Sequence, residues 1–279
     1  MDKKLPSGKL SVKLIAFDLD DTLLNSELKI SLQTVMALQQ AAARGIYIVL
    51  CSGRAENAIL PYVRQLNIAG FQAGRYLIAI NGSEVFDLHI RLPILTEKLD
   101  GDTLVYVYNE AKKRGLPAQV YDASTIYASE DNKWTQMDAQ LCGLRLEIVK
   151  DFEAFLEKGH PKMVVPADPE DVKRFLPFLQ EKLAGRAEAF ISKPYFLEVM
   201  PSECGKGEAV MWLADKLGIP RSQTMAFGDS MNDESMIRKT AYGVAMCNGL
   251  PYIQDIAKFV TRKDNNNDGI ADFLENFVL

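Results

Sequence analysis

Three carboxylates fall within four positions at Asp18-Leu19-Asp20-Asp21, directly after the short apolar run Val12–Phe17. A second acidic group, Asp229-Ser230-Met231-Asn232-Asp233, follows another apolar run, Thr224–Gly228. Carboxylates this close repel one another and call for a counter-charge. A hard divalent cation can supply it, because Mg²⁺ takes one or two carboxylates together with waters and substrate phosphate oxygens. An aspartate beside such an ion can attack phosphorus and form an aspartyl-phosphate. A second carboxylic acid nearby can protonate the leaving oxygen and then take a proton from water. Phosphate also needs donors. Ser52 offers a hydroxyl, and the amides of Ser52 and Gly53 would point outward if a helix began there. Lys206 stands between Gly205 and Gly207, where a flanking glycine permits close backbone approach and the ammonium can neutralise a phosphoryl oxygen. Taken singly, each group has an ordinary reading: a helix cap for the aspartates and Ser52, a solvated surface residue for Lys206. Their combination favours phosphate chemistry.

The elements around these residues predict how they are placed. Val12–Phe17, Ile46–Cys51 and Tyr76–Ile80 read as buried parallel strands. Between them lie helical patterns, one capped by Ser31 and closed near Gly45, one over Ala55–Leu66 with Pro61 inside it. Towards the end of the chain a helix over Gly207–Leu217, a strand at Thr224–Gly228, a short helix over Asp233–Lys239 and a strand at Tyr242–Met246 resume the alternation. Such alternation predicts an α/β fold with a Rossmann-like doubly wound parallel sheet, whose ligands bind beyond the carboxyl ends of the strands. The two acidic groups and Ser52-Gly53 each follow a strand, as does Asn81-Gly82-Ser83, while Lys206 stands ahead of a helix. The middle differs: adjacent strand pairs (Ala118–Asp122 with Thr125–Ser129, Ala187–Ser192 with Phe196–Met200) and interspersed helices predict an inserted α+β module with an antiparallel sheet. The expected organisation is a core of residues 1–86 and 201–279 with an insert at 87–200, hinged near Phe86–Leu88 and Met200–Cys204.

Composition narrows the classes. The chain has 279 residues, 48% apolar and 25% charged, with 37 acidic against 32 basic residues and a net charge of −5. That balance argues against a nucleic-acid binder. With two histidines, His89 and His160, a His-rich zinc site is excluded and ordinary packing roles are expected for both. Four scattered cysteines form no C-x-x-C pair and fit a reducing compartment. No run approaches the ~18 apolar residues of a membrane span. The expectation is a soluble cytoplasmic protein acting on a small molecule, with no nucleic-acid or membrane partner; the oligomeric state stays open.

FDLDDTLL (Phe17–Leu24), CSGR (Cys51–Arg54), the Lys206-Gly207 step and GDSMND (Gly228–Asp233) resemble the four ordered motifs of the haloacid dehalogenase (HAD) superfamily, and more narrowly its Cof-type IIB phosphatases. The insert, read as αββ, αβαβ, αββ, resembles the type IIB cap. The resemblance implies a Mg²⁺-dependent phosphatase of small phosphomonoesters, such as a sugar or cofactor phosphate, working through an aspartyl-phosphate. It implies Asp18 as nucleophile and metal ligand, and Asp20 as general acid/base with its carbonyl on the metal. It implies Ser52, Lys206, Asn232 and the amides of Leu19 and Gly53 as phosphate-binding groups. Asp229 becomes the second carboxylate ligand, and Asp233 holds a metal-bound water. The insert would choose the leaving group by opening and closing.

Three other readings stand beside it. A phosphomutase would use the same aspartyl chemistry, and a non-catalytic phosphate sensor the same fold. A calcium-binding protein is suggested by Asp264-Asn265-Asn266-Asn267-Asp268-Gly269 with Glu275, which matches the EF-hand loop pattern. That loop needs an entering helix, whereas Lys258–Thr261 is β-prone and short.

Overall fold

The structure, a computed structural model, describes residues 4–202 and 204–279. In chain order the elements are β1 (Leu14–Phe17), α1 (Leu32–Ala43), β2 (Tyr47–Cys51), α2 (Glu56–Leu66), β3 (Tyr76–Ala79), β4 (Glu84–Asp87) and β5 (Leu92–Thr96). Then come α3 (Gly101–Lys112), β6 (Gln119–Tyr121), β7 (Thr125–Ala128), α4 (Lys133–Cys142), β8 (Arg145–Ile148), α5 (Phe152–Leu156), β9 (Met163–Pro166), α6 (Pro169–Leu183), β10 (Ala187–Lys193) and β11 (Phe196–Pro201). The chain closes with α7 (Lys206–Lys216), β12 (Thr224–Gly228), α8 (Glu234–Lys239), β13 (Tyr242–Ala245), α9 (Pro251–Ile256), β14 (Phe259–Val260) and α10 (Gly269–Phe277).

Two compact units result. The first holds the chain up to Gly53, Ile59–Ile94 and Gly205–Leu279; the second holds Arg54–Ala58 and Leu95–Cys204. The first unit is built on a sheet of order β14-β13-β12-β1-β2-β3-β4-β5. β1 pairs in parallel with both β2 and β12, and β12 with β13 and β13 with β14 continue in parallel. Successive strand residues face opposite sides. Ile15 and Phe17 therefore join the buried layer that contains Leu38 of α1 and Phe273 of α10, while Leu14 and Ala16, equally buried, lie one residue out of phase. Phe17 stacks on Phe227 at 5.2 Å, and Phe227 meets Phe273 edge-on at 5.4 Å. Each such ring buries enough apolar surface to contribute about 1.5–3 kcal/mol. Ser31 caps α1 by accepting from the Thr34 amide at 3.1 Å, as its place before the apolar periodicity predicts.

The sequence reading ends the first core segment at residue 86. The first unit instead keeps β4, which pairs antiparallel with β3, and extends to Ile94. The physical reason includes Asp87, whose carboxylate takes a bidentate grip from the Arg75 guanidinium and so ties the strand's last residue to the core.

The second unit carries a sheet of order β10-β11-β9-β6-β7-β8. Its element order is αββ, αβαβ, αββ, as read from the sequence. The predicted antiparallel pairing holds for β6 with β7, β6 with β9, β9 with β11 and β10 with β11, but β7 and β8 are parallel. The difference follows from α4, which carries the chain back between them. Val120, Met163, Leu197 and Val199 from the strands pack with Leu104, Val107, Phe175 and Leu179 from α3 and α6. No helix among the described residues is long and apolar enough to cross a membrane.

The EF-hand pattern fails at its entrance. The segment before Asp264 is β14, paired in parallel with β13, and not a helix.

Candidate active site

The site follows from register. Phe17 stands opposite both Leu50 and Phe227, so the carboxyl ends of β1, β2 and β12 are neighbours. The residues that follow these strands are Asp18, Ser52 and Asp229. The backbone then turns sharply after β1: Asp20 is extended at φ −68° and ψ 127°, and Asp21 is left-handed at φ 59° and ψ 6°. The Leu23 amide closes this loop onto the Asp18 carbonyl at 3.2 Å.

Lys206 is the convergence point. It opens α7 and is fully buried. Its Nζ donates to Asp18 Oδ1 at 2.5 Å and to Asp233 Oδ1 at 2.7 Å. Gly207 beside it lets α7 pack on α8, because a Cβ there would sit 2.4 Å from the Ser235 backbone. Asp233 is likewise buried, and its other oxygen accepts from the amides of Asp229 and Ser230 at 2.9 and 3.1 Å. Asp233 therefore braces the loop that presents Asp229. Thr22, four residues past Asp18, donates to Asp229 Oδ1 at 2.9 Å and links the two acidic loops.

The electrostatics are unbalanced. Asp18, Asp229 and Asp233 each offer an oxygen within 4.8 Å of the others, with Lys206 the ammonium bonded among them. Burial first, and then the Asp233 charge, raise the Asp18 carboxyl well above its ordinary range against the pull of Lys206. Burial and Asp233 likewise push Asp229 up to about 7, against the Thr22 hydrogen bond and Lys206. Burial would lower the Lys206 ammonium, but Asp18 and Asp233 outweigh it and hold it raised. Two buried carboxylates and the half-buried Asp229, all oxygen donors under-neutralised by one ammonium, fit a hard cation.

The phosphate-binding candidates fall on the same rim. Ser52 is buried, and its amide is spent on the Ile78 carbonyl at 3.0 Å. The outward-facing amide expected from a helix start is thus not offered by Ser52, because α2 begins at Glu56. The hydroxyl of Ser52 and the Gly53 position remain at the end of β2. Asn81, left-handed at φ 51°, donates its amide to the Ser52 carbonyl at 2.9 Å and accepts from Asn232 Nδ2 at 3.2 Å. That bond joins the turn after β3 to the turn after β12. Asp20 and Leu19 lie on the Asp18 loop itself. Each histidine has a local partner: His89 pairs with the Ala69 carbonyl at 3.0 Å, and His160 lies against Phe155 within the second unit.

Thr22 and the Asn81–Asn232 link were not assigned roles from sequence. Thr22 and Asn232 do lie in the FDLDDTLL and GDSMND motifs, and Asn232 is read there as a phosphate contact, but nothing local marks the bonds from Thr22 to Asp229 and from Asn232 to Asn81.

A doubly wound sheet whose adjacent carboxyl ends gather aspartates around a buried lysine defines a class of α/β hydrolases. The haloacid dehalogenase-like hydrolase family model matches residues 15–274, and the chain belongs to that family. YxeH of Bacillus subtilis (strain 168), which bears a phosphatase name, is 32% identical over 269 residues, 96% of this chain and 98% of that protein. A haloacid dehalogenase-like hydrolase from Bacteroides thetaiotaomicron superposes with a TM-score of 0.86 at 29% identity, covering 95% of this chain and 98% of that one. The HAD subclass IIB sugar phosphatase BT4131 superposes with a TM-score of 0.79 at 24% identity, over 95% of this chain and 98% of that one, which speaks for the fold.

Proposed function

We propose that this protein is a divalent-cation-dependent phosphatase of small phosphomonoesters, with Mg²⁺ as the cation and Asp18 as the nucleophile. The observation that carries the reading is the convergence of Asp18, Asp229 and Asp233 on Lys206 at adjacent strand ends. Membership of a family with phosphatase-named relatives supports it.

Asp18, Asp229 and the Asp20 carbonyl would hold the cation, with Asp233 aligning a water on it. When bound, the cation supplies positive charge that offsets the carboxylates and the substrate phosphate, which otherwise repel. An Asp18 oxygen attacks phosphorus, and the bond from phosphorus to the leaving oxygen breaks. Asp20 gives that oxygen its proton, so the alcohol leaves neutral. Asp20 then takes a proton from water, whose oxygen attacks phosphorus and releases Asp18 and inorganic phosphate. Lys206 holds Asp18 in place and offsets charge gathering on the phosphoryl oxygens. Ser52, Asn232 and the amides of Leu19 and Gly53 bind those oxygens. The second unit, Leu95–Cys204 with Arg54–Ala58, would set specificity.

Release of phosphate from p-nitrophenyl phosphate with Mg²⁺ tests the proposal. The wild type turns over, and Asp18→Asn abolishes turnover while leaving the protein folded. No phosphate released from any phosphomonoester, or an active Asp18→Asn, overturns it.

A further inference from the structure

The asparagine-rich loop that imitates a calcium site has its polar atoms directed elsewhere. Asp264 Oδ1 accepts from the Asn266 amide at 3.0 Å and from Asn267 Nδ2 at 2.8 Å, which closes the loop on itself. Asn265 Nδ2 donates to the Leu24 carbonyl at 2.8 Å, in a half-buried contact 241 residues away in sequence. Asn266 Oδ1 accepts from the Ser26 amide at 2.9 Å. Both partners lie at the end of the loop that begins with Asp18.

A second turn joins in. Asn248 Nδ2 donates to the Asp21 carbonyl at 2.8 Å, and its Oδ1 accepts from the Asn265 amide at 3.3 Å. The same turn grips the other acidic loop, since the Leu250 amide donates to the Asp229 carbonyl at 2.8 Å. Gly249 allows this approach, as a Cβ there would lie 2.8 Å from the Asp229 carbonyl oxygen. Thr261 Oγ1 ties the two turns together, accepting from the Cys247 amide at 3.0 Å and donating to the Lys263 carbonyl at 2.7 Å.

We propose that Asn265 and Asn248 are positioning residues: they brace the Asp18–Leu24 loop against the Asp229 loop and so fix the spacing of the reacting carboxylates. The need is visible in the loop's backbone. It includes a left-handed aspartate and closes on itself through Leu23 to Asp18 and Leu24 to Leu19. Without outside support such a segment samples other conformers. Both side-chain amides act on backbone carbonyls of the Asp18 loop, and a misplacement of about 1 Å at a reacting group can cost ~10²-fold in rate. The inference rests on the phosphatase reading for its kinetic consequence, while its structural content is independent of turnover.

The test compares Asn265→Ala, Asn265→Asp and Asn248→Ala with wild type and with Asn276→Ala, an exposed asparagine on α10 bonded to Asp272. Asn265→Asp keeps the shape but removes the donor to Leu24. Amide hydrogen exchange of the peptide spanning residues 18–26 is read in metal-free protein, and kcat, KM and the half-saturating Mg²⁺ with p-nitrophenyl phosphate. The brace predicts exchange at Leu23 and Leu24 at least about tenfold faster in all three variants, with peptides of β2 and the second unit unchanged. It predicts kcat lower by about 10–100-fold, KM within about threefold, a raised half-saturating Mg²⁺, and no change in Asn276→Ala. Unchanged exchange at residues 18–26, or faster exchange spread evenly over the protein, overturns the brace. An inactive wild type overturns the phosphatase reading instead, and the exchange measurement then still decides the brace.

Discussion

Each unit of the molecule buries a lysine against carboxylates, and the two sites differ in balance. In the second unit Lys162 meets Glu198 at 3.3 Å with both side chains under 10% exposed. Burial would lower the Lys162 ammonium, and Glu198 with Asp138 outweighs it and holds it raised. The Tyr121 ring lies beneath it, 4.6 Å away. In the first unit Lys206 meets two carboxylates while a third, Asp229, stands beside them. There the lysine is satisfied but the carboxylates are not, as the raised Asp18 and Asp229 show. A buried lysine in contact with a buried glutamate serves the fold. On the proposed reading, the excess negative charge of the first unit is what takes up the cation.

The comparison breaks most visibly at the lysines. Lys206→Met is expected to lower kcat for phosphate release by about 10³-fold or more, because Asp18 and Asp233 then face each other without a counter-ion. Lys162→Met should instead act on stability, costing about 3–5 kcal/mol in urea unfolding by removing the ammonium that meets the buried Glu198 carboxylate. Replacing both Lys162 and Glu198 with Met and Leu should recover most of that loss. An unchanged stability in Lys162→Met would mean that the lysine and the glutamate are not in contact in solution.

pH separates the units next, with opposite signs. Asp229 titrates at about 7 in the folded, metal-free protein, above its ordinary 3.8. The folded state therefore holds the extra proton between these values, and metal-free stability falls as pH rises through about 7. Because the cation competes with that proton, half-saturating Mg²⁺ should fall by up to about tenfold per pH unit below 7 and level off above it. His160 behaves the other way: burial above all lowers it to about 4 from 6.5. The unfolded chain binds that proton first, so stability is lost as pH drops from 6.5 towards 4. His160→Gln should flatten about 1–2 kcal/mol of that loss in urea titrations at pH 7 and pH 5.

Sequence showed the first unit's rim better than its bracing. β1, β2 and β12 are short apolar runs, and the groups after them are legible because parallel strands deliver their carboxyl ends to one edge. The Thr22–Asp229 bond and the Asn265–Leu24 bond span more than 200 residues each, and polar contacts at that distance leave no periodicity to read. In the second unit the element order is legible but the bounds of α4 and β8 are not. In α4 the buried residues are Thr135 and Asp138, so its inward face is polar and lacks the apolar stripe of a surface helix. β8 is a largely exposed edge strand, with no buried run to mark it. The Asp264 loop shows the converse: a strong local pattern whose carboxylate and amides are spent on hydrogen bonds to the chain.

Calorimetric titration of Mg²⁺ into metal-free protein at pH 7.5, wild type against Asp229→Asn, addresses the charge imbalance most directly. The imbalance predicts saturable binding of Mg²⁺ with proton release in the wild type, and its loss in Asp229→Asn. No saturable binding, or equal binding in both proteins, would contradict it.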